Sequence, residues 1–222
     1  MKFFLFLSFL AFSTYGLSQS DTVETVRYDF SYEFNEGLFI DFINLKNNTP
    51  VPFERIESPT SNDIYFFDLL EEAKTVSYYD DFGNLQEIDK NKIWGYGKNG
   101  KPYINWAGKF YMIPSVGSIS HFAALVKVYY SSGHDPFYSP YYYNYNYYPT
   151  RTYQSEELRQ FLIDFNSGEV FPYEYKSVEK LLDKSPELQA EYSKLGKRKK
   201  SKRMFEYVKR YNELNPLYLP VN

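Results

Sequence analysis

Asn99-Gly100 restricts the fold more than any other feature of this sequence. It lies between two apolar runs, Ile93–Tyr96 and Tyr103–Trp106. Asn-Gly is the favoured centre of a type I′ turn, because both central residues must take positive φ. A two-residue turn here pairs Tyr96 with Tyr103 and Trp94 with Asn105, and puts those four side chains on one face of a ribbon. Ile93, Gly95, Ile104 and Trp106 take the other face. Both faces are apolar or aromatic. The hairpin is therefore either buried on both sides, or it presents Trp94, Tyr96 and Tyr103 as an aromatic contact face of the kind that stacks on sugar rings.

The same pattern recurs along the first half of the chain. Apolar runs of four to six residues alternate with Gly, Pro, Asn and Asp clusters, which reads as short strands. The strands expected are Leu38–Phe42, Ile64–Phe67, Thr75–Tyr79, Leu85–Ile88, Ile93–Tyr96, Tyr103–Trp106, Phe110–Pro114 and Phe122–Tyr130. Phe67–Lys74 fits a short helix equally well. Further hairpins fit Tyr79–Leu85 and Leu162–Phe171. Consecutive hairpins point to an antiparallel sheet.

Residues 129–153 differ in kind. They hold ten of the 25 tyrosines together with Pro136, Pro140 and Pro149. Such low complexity predicts a loop between two strands. After Tyr173 the period becomes helical. Val178, Leu181 and Leu182 share one face. Ser185-Pro186-Glu187 is a helix start, with a capping Ser, Pro at the first helical position and an early acid. Leu188, Tyr192 and Leu195 follow at helical spacing, and Gly196 is placed at that helix's end. A last helix is expected from Lys199 to Leu214, with Met204, Val208 and Tyr211 inward, stopped by Asn215-Pro216. The expected fold class is α+β: a barrel-like or strongly bent antiparallel sheet built of hairpins, then two or three C-terminal helices. A mostly β domain is expected over 19–175 and a helical region over 176–222, both on one core.

The N-terminus predicts export. Met1-Lys2, the apolar run from Phe3 to Phe12, and small residues at Gly16 and Ser18 make a secretory signal with cleavage between Ser18 and Gln19. The run is too short to span a bilayer, and no later segment is apolar enough to do so. The chain has no cysteine and two histidines. That excludes disulfides, thiolate metal sites and a thiol nucleophile. An exported chain of this size without cysteine suits a bacterial periplasm or exterior better than a small eukaryotic secreted domain.

Candidate chemistry is sparse. Ser118 or Ser120 with His121 or His134 does not make a triad, because geometry defines one and no Gly-x-Ser-x-Gly elbow is present. His134-Asp135 lacks further metal ligands. The pairs Glu71-Glu72 and Asp80-Asp81 point to opposite faces of a strand, and Asp80–Asn84 reads as a turn rather than a calcium loop. Gly95, Gly97 and Gly100 lead into a second strand rather than a helix, so they do not cradle a phosphate. No cofactor is expected.

Charge is unevenly spread. Residues 176–222 carry twelve Lys/Arg and six Asp/Glu, and residues 1–175 are net acidic. Lys197, Arg198, Lys199, Lys200, Lys202 and Arg203 are a candidate anionic-surface site. They also fit a solvated junction between helices.

A series of motifs carries a resemblance. It comprises Lys46-Asn47-Asn48-Thr49-Pro50, Ile93-Trp94-Gly95-Tyr96, Tyr103-Ile104-Asn105, Ile163–Glu169, Leu181–Leu188 and Tyr211–Pro216. In this order, behind a signal peptide, they resemble a group of exported proteins of unknown function common in Bacteroidota-type bacteria. The resemblance implies export and a shared fold over most of residues 37–216. It supplies no catalytic residues.

Three readings follow. The first is an exported, non-enzymatic binding or structural protein of the envelope. The second is a glycan hydrolase with carboxylates drawn from distant strands. The third is a protein docked on anionic surfaces through 197–203. Expected partners are an envelope protein, a glycan or an anionic surface, without sequence-specific nucleic-acid recognition.

Overall fold

A computed structural model describes residues 24–57, 66–132 and 151–221. Ser18, Gln19 and His134 lie outside them. The strands form hairpin-built antiparallel sheets that, among the described residues, do not close into a barrel. Helices follow, so the fold is α+β.

The Asn-Gly turn forms as its chemistry requires. Asn99 has φ 50° and Gly100 φ 70°, and Tyr96 stands opposite Tyr103. This turn joins β5 (Gly95–Lys98) to β6 (Lys101–Trp106). With β2 (Gly37–Phe39) and β7 (Lys109–Met112) they make a sheet ordered β2-β5-β6-β7. β1 (Thr25–Arg27) pairs with the last strand, β11 (Tyr218–Pro220), and so ties the two ends of the described chain together.

Two expected strands are corrected. The chain leaves β2 at Phe39, because Asp41 caps a helix instead: its carboxylate accepts from Asn44 N, and Asn44 reaches back to Asp41 N. This capping box starts α1 (Phe42–Lys46). Phe66 and Phe67 belong not to a strand but to α2 (Phe66–Glu72), where they and Leu70 bury one face. β3 (Thr75–Tyr79) and β4 (Leu85–Asp89) form the second predicted hairpin. Its turn is organised by the Asp80 carboxylate, which accepts from Phe82 N and Asn84 N, each at 2.9 Å.

β8 (Ile119–Ser132) and β9 (Arg151–Asp164) pair over 14 residues each, a ribbon about 45 Å long. The expected loop over 129–153 is therefore shorter, since its first and last residues are strand. Residues 133–150 lie outside the described part. Near its root the ribbon is buried on both faces. Phe122, Ala124, Phe161 and Ile163 pack with Ile104 and Ile113. On the other face Ile119 and Leu162 join Val178, Leu182, Tyr192 and Tyr207. Farther out, Leu125, Tyr129 and Leu158 are exposed. β10 (Val170–Pro172) closes the third predicted hairpin against β9.

The helices are α3 (Tyr175–Leu181), α4 (Pro186–Ser193) and α5 (Lys197–Leu214). Pro186 opens α4 as predicted, but Ser185 makes no side-chain cap bond. Gly196 does not end α4. It is the N-cap of α5, at an ordinary φ of −67°. The basic run is thus the first two turns of a long helix rather than a linker.

Candidate functional site

α5 sorts the basic run by its helical period. Lys200 points inward and is 8% exposed. Its Nζ donates to Glu179 Oε1 on α3 at 2.5 Å, and its carbonyl accepts from the Tyr192 hydroxyl. Arg203 is also engaged, donating twice to Glu206 one turn later. These bonds hold the guanidinium above its ordinary pKa. Lys200 is therefore not free to meet a ligand, and Arg203, though exposed, already has a carboxylate partner.

Six of the twelve cations in this region have a carboxylate within 4 Å. They are Lys180 with Glu169, Lys184 with Asp164, Lys200 with Glu179, Arg203 with Glu206, Lys209 with Glu213 and Arg210 with Glu191. The Glu191 carboxylate also accepts from the Tyr207 hydroxyl. Bonds from Arg210 first, then Tyr207, pull Glu191 down to about 2. Among the described residues, five of the other six cations collect at one corner: Lys194, Lys197, Arg198, Lys199 and Lys202. Lys194 to Lys199 line a shallow, open concavity of about 540 Å³ there.

The placement runs against helix electrostatics. The N-terminus of a helix carries about half a positive charge, which disfavours cations beside it. α5 begins with four consecutive cations, no acid in its first turn and no side-chain cap. A local rule broken without internal compensation is expected where function imposes it. A polyanion laid over this corner would relieve the repulsion.

Of the aromatic candidates, Tyr96 and Tyr103 share a face and Trp94 does not join them. Tyr96 is 6% exposed and lies among Phe67, Tyr103 and Phe110, with ring centroids 4.3, 4.6 and 5.0 Å away. Burial raises its phenol pKa. Trp94 packs elsewhere, against Phe42 at 5.7 Å and beside the clusters of Phe165 and Ile104. Tyr103, half-buried, stacks on Tyr96. The geometry makes these rings core material.

The other polar candidates have structural partners. Ser118 Oγ donates to Asn215 O, and Ser120 Oγ bridges the Gly117 backbone. His121 Nε2 bonds Gln160 Oε1 at 2.9 Å. Asp81 pairs with Arg55. Among the described residues, every carboxylate with a displaced pKa is displaced downward. Asp80 is lowered first by its bond from Asn84 N. Burial works to raise Asp164, but Lys184, Asn166 and Ser167 together outweigh it. A glycosidase acid needs the opposite displacement. Among the described residues, no three His, Asp or Glu side chains gather as a metal site. No helix there is long and apolar enough to cross a membrane.

Sequence reasoning missed the outward face of α5, above all Phe205, which is 64% exposed. The signal was present: Phe205 lies seven residues after Arg198, on the side away from Lys200 and Tyr207.

The architecture thus defines an α+β class, in which hairpin sheets carry a C-terminal helical module. Residues 149–215 match the model of a family of unknown function, DUF6563, and the match runs from the start of β9 to the end of α5. No curated protein and no solved structure matches the chain.

Proposed function

We propose that this is an exported, non-catalytic binding protein of the cell envelope that docks on a polyanionic surface through the corner where α4 meets α5. The observation that carries the reading is selective pairing. The helical module gives six of its cations a carboxylate and leaves five together at one corner. Export rests on the sequence from Met1 to Ser18. It predicts a mature N-terminus at Gln19, which mass spectrometry of the envelope fraction would read directly.

The docking test reverses Lys197, Arg198, Lys199 and Lys202 to Glu. Lys200 is left intact because its loss would strand Glu179. Near an anionic surface each cation contributes about 1 kcal/mol. The quadruple variant should therefore bind anionic vesicles and polyphosphate at least about 100-fold more weakly, with a melting temperature no lower than wild type, since carboxylates suit a helix N-terminus. Unchanged binding to both would refute the reading.

A further inference from the structure

We infer that the polyanion met by this corner is a membrane surface of anionic lipid, and that Phe205 enters its headgroup layer. The inference rests on the docking reading and names its occupant.

The observation is a stripe along the solvent face of α5. At about 100° per residue, Arg198, Lys202, Phe205 and Lys209 fall within an arc of about 60°. The buried side chains Lys200, Tyr207 and Tyr211 lie on the far side, and buried Val208 flanks the stripe about 60° from Phe205. Arg198, Lys202 and Lys209 are exposed, and Phe205 stands among them. Its neighbour Met204 turns inward against the helical core. The stripe continues from the unpaired corner along three turns of one helix. It presents cations and one large apolar ring on a single side.

This combination fits a lipid surface better than a soluble polyanion. A phosphate chain is satisfied by cations alone and gives a phenyl ring nothing to enter. A membrane interface offers both an anionic plane and an apolar boundary a few ångströms beneath it. Basic helices with an aromatic residue on the contacting side lie in that plane. The helix is anchored through Tyr207 and Tyr211 on its inner face and by Asn212, which exchanges bonds with the Ile119 backbone on its flank, so its orientation on the surface is set by the fold rather than by lipid. Lys209, loosely paired with Glu213 at 3.9 Å, can turn to a headgroup at little cost.

The test compares full-length wild type, Phe205→Ala, Phe205→Trp and the quadruple Glu variant, all with the same N-terminus. Ligands are vesicles of phosphatidylglycerol in phosphatidylcholine, vesicles of phosphatidylcholine alone, and soluble polyphosphate. Phe205→Ala should weaken binding to anionic vesicles about tenfold, in line with withdrawing part of a phenyl ring from an apolar boundary. It should leave polyphosphate affinity within twofold and the melting temperature unchanged. Phe205→Trp should give a blue-shifted emission component, quenched by brominated lipid, on anionic vesicles only. If Phe205→Ala changes neither affinity while the quadruple variant loses both, the lipid assignment fails and the corner remains a polyanion site. If Phe205→Ala weakens both ligands equally, the lipid assignment also fails. If the quadruple variant loses neither, the docking reading fails, and this inference with it.

Discussion

The hairpin body and the helical module hold themselves together in different ways. In the body, backbones come into direct contact. A β-carbon on Gly95 would lie 1.9 Å from Tyr103 O, on Gly97 2.0 Å from Asn35 O, and on Gly37 2.3 Å from Val51 O. The close approach lets aromatic rings fill the remaining space, with Phe53, Phe66, Phe67, Tyr96 and Phe110 in edge or tilted contact. The module relies on side chains instead. Leu162, Val178, Leu182, Leu188, Tyr192 and Tyr207 form its centre, and ion pairs run around its rim. The glycine inside it, Gly196, has nothing within 4 Å of its would-be β-carbon. A scaffold built on packing and paired charge can leave selected charges unpaired without loosening its core.

The largest expected effect breaks the body. Gly95→Ala drives a methyl into a backbone carbonyl, so strands β5 and β6 must separate. A loss of at least about 3 kcal/mol is expected, read as a urea midpoint shift or outright failure to fold. A midpoint equal to wild type would show that the strands do not approach as described. Next is the module's counterpart. Leu182→Ala opens a cavity in a fully buried site and should cost about 2–5 kcal/mol. A cost under 1 kcal/mol would contradict the claim that side-chain packing carries the module.

A smaller, pH-dependent effect probes the seam between sheet and helices. Asp164 caps the β9–β10 turn and accepts from Lys184 Nζ at 2.7 Å. Its folded pKa is depressed below the ordinary 3.8. Its contribution is therefore complete above that ordinary value and fades as pH falls through the lower folded value. Asp164→Asn should destabilise the protein at pH 7 and reduce the loss of stability on acidification. Parallel pH–stability curves for the two proteins would rule out this role. The smallest effect is predicted for Gly196→Ala. With φ at −67° and open space around it, the change should cost no more than about 1 kcal/mol, the penalty for Ala at a helix N-cap. A larger loss would mean that the α4–α5 corner is not the unstrained junction described.

Much of this architecture could be read from local chemistry, and the failures share a cause. Asn99-Gly100 and Ser185-Pro186 announce themselves because a turn or a helix start is decided by a few adjacent residues. Asp41 announced a helix too, but the apolar run from Leu38 to Phe42 reads more easily as a strand. Gln154 to Gln160 is mostly polar on both faces and shows no strand period. It is extended because β8 pairs with it along its length, which no local pattern reveals. Alternation puts Trp94 beside Tyr96, yet the chain enters β5 from a 3-10 turn at Lys90–Lys92 and sends the indole to another cluster. At the candidate site, composition showed where cations are dense. Only the structure shows that Glu179 and Glu206 occupy two of the six. Phe205 went unremarked because its meaning depends on which face of α5 the body covers.

The central claim is that the unpaired cations at the start of α5, and not the region's net charge, bind a polyanionic surface. The direct measurement is the affinity for anionic vesicles as a function of salt. It compares wild type with a Lys197→Gln, Arg198→Gln, Lys199→Gln, Lys202→Gln variant, with Lys180→Gln as a paired-cation control. Wild type and the control should lose affinity steeply between 50 and 500 mM salt, as screening shortens to a few ångströms. The quadruple variant should bind weakly with little salt dependence. If the quadruple variant keeps the wild-type affinity and slope, the claim is wrong.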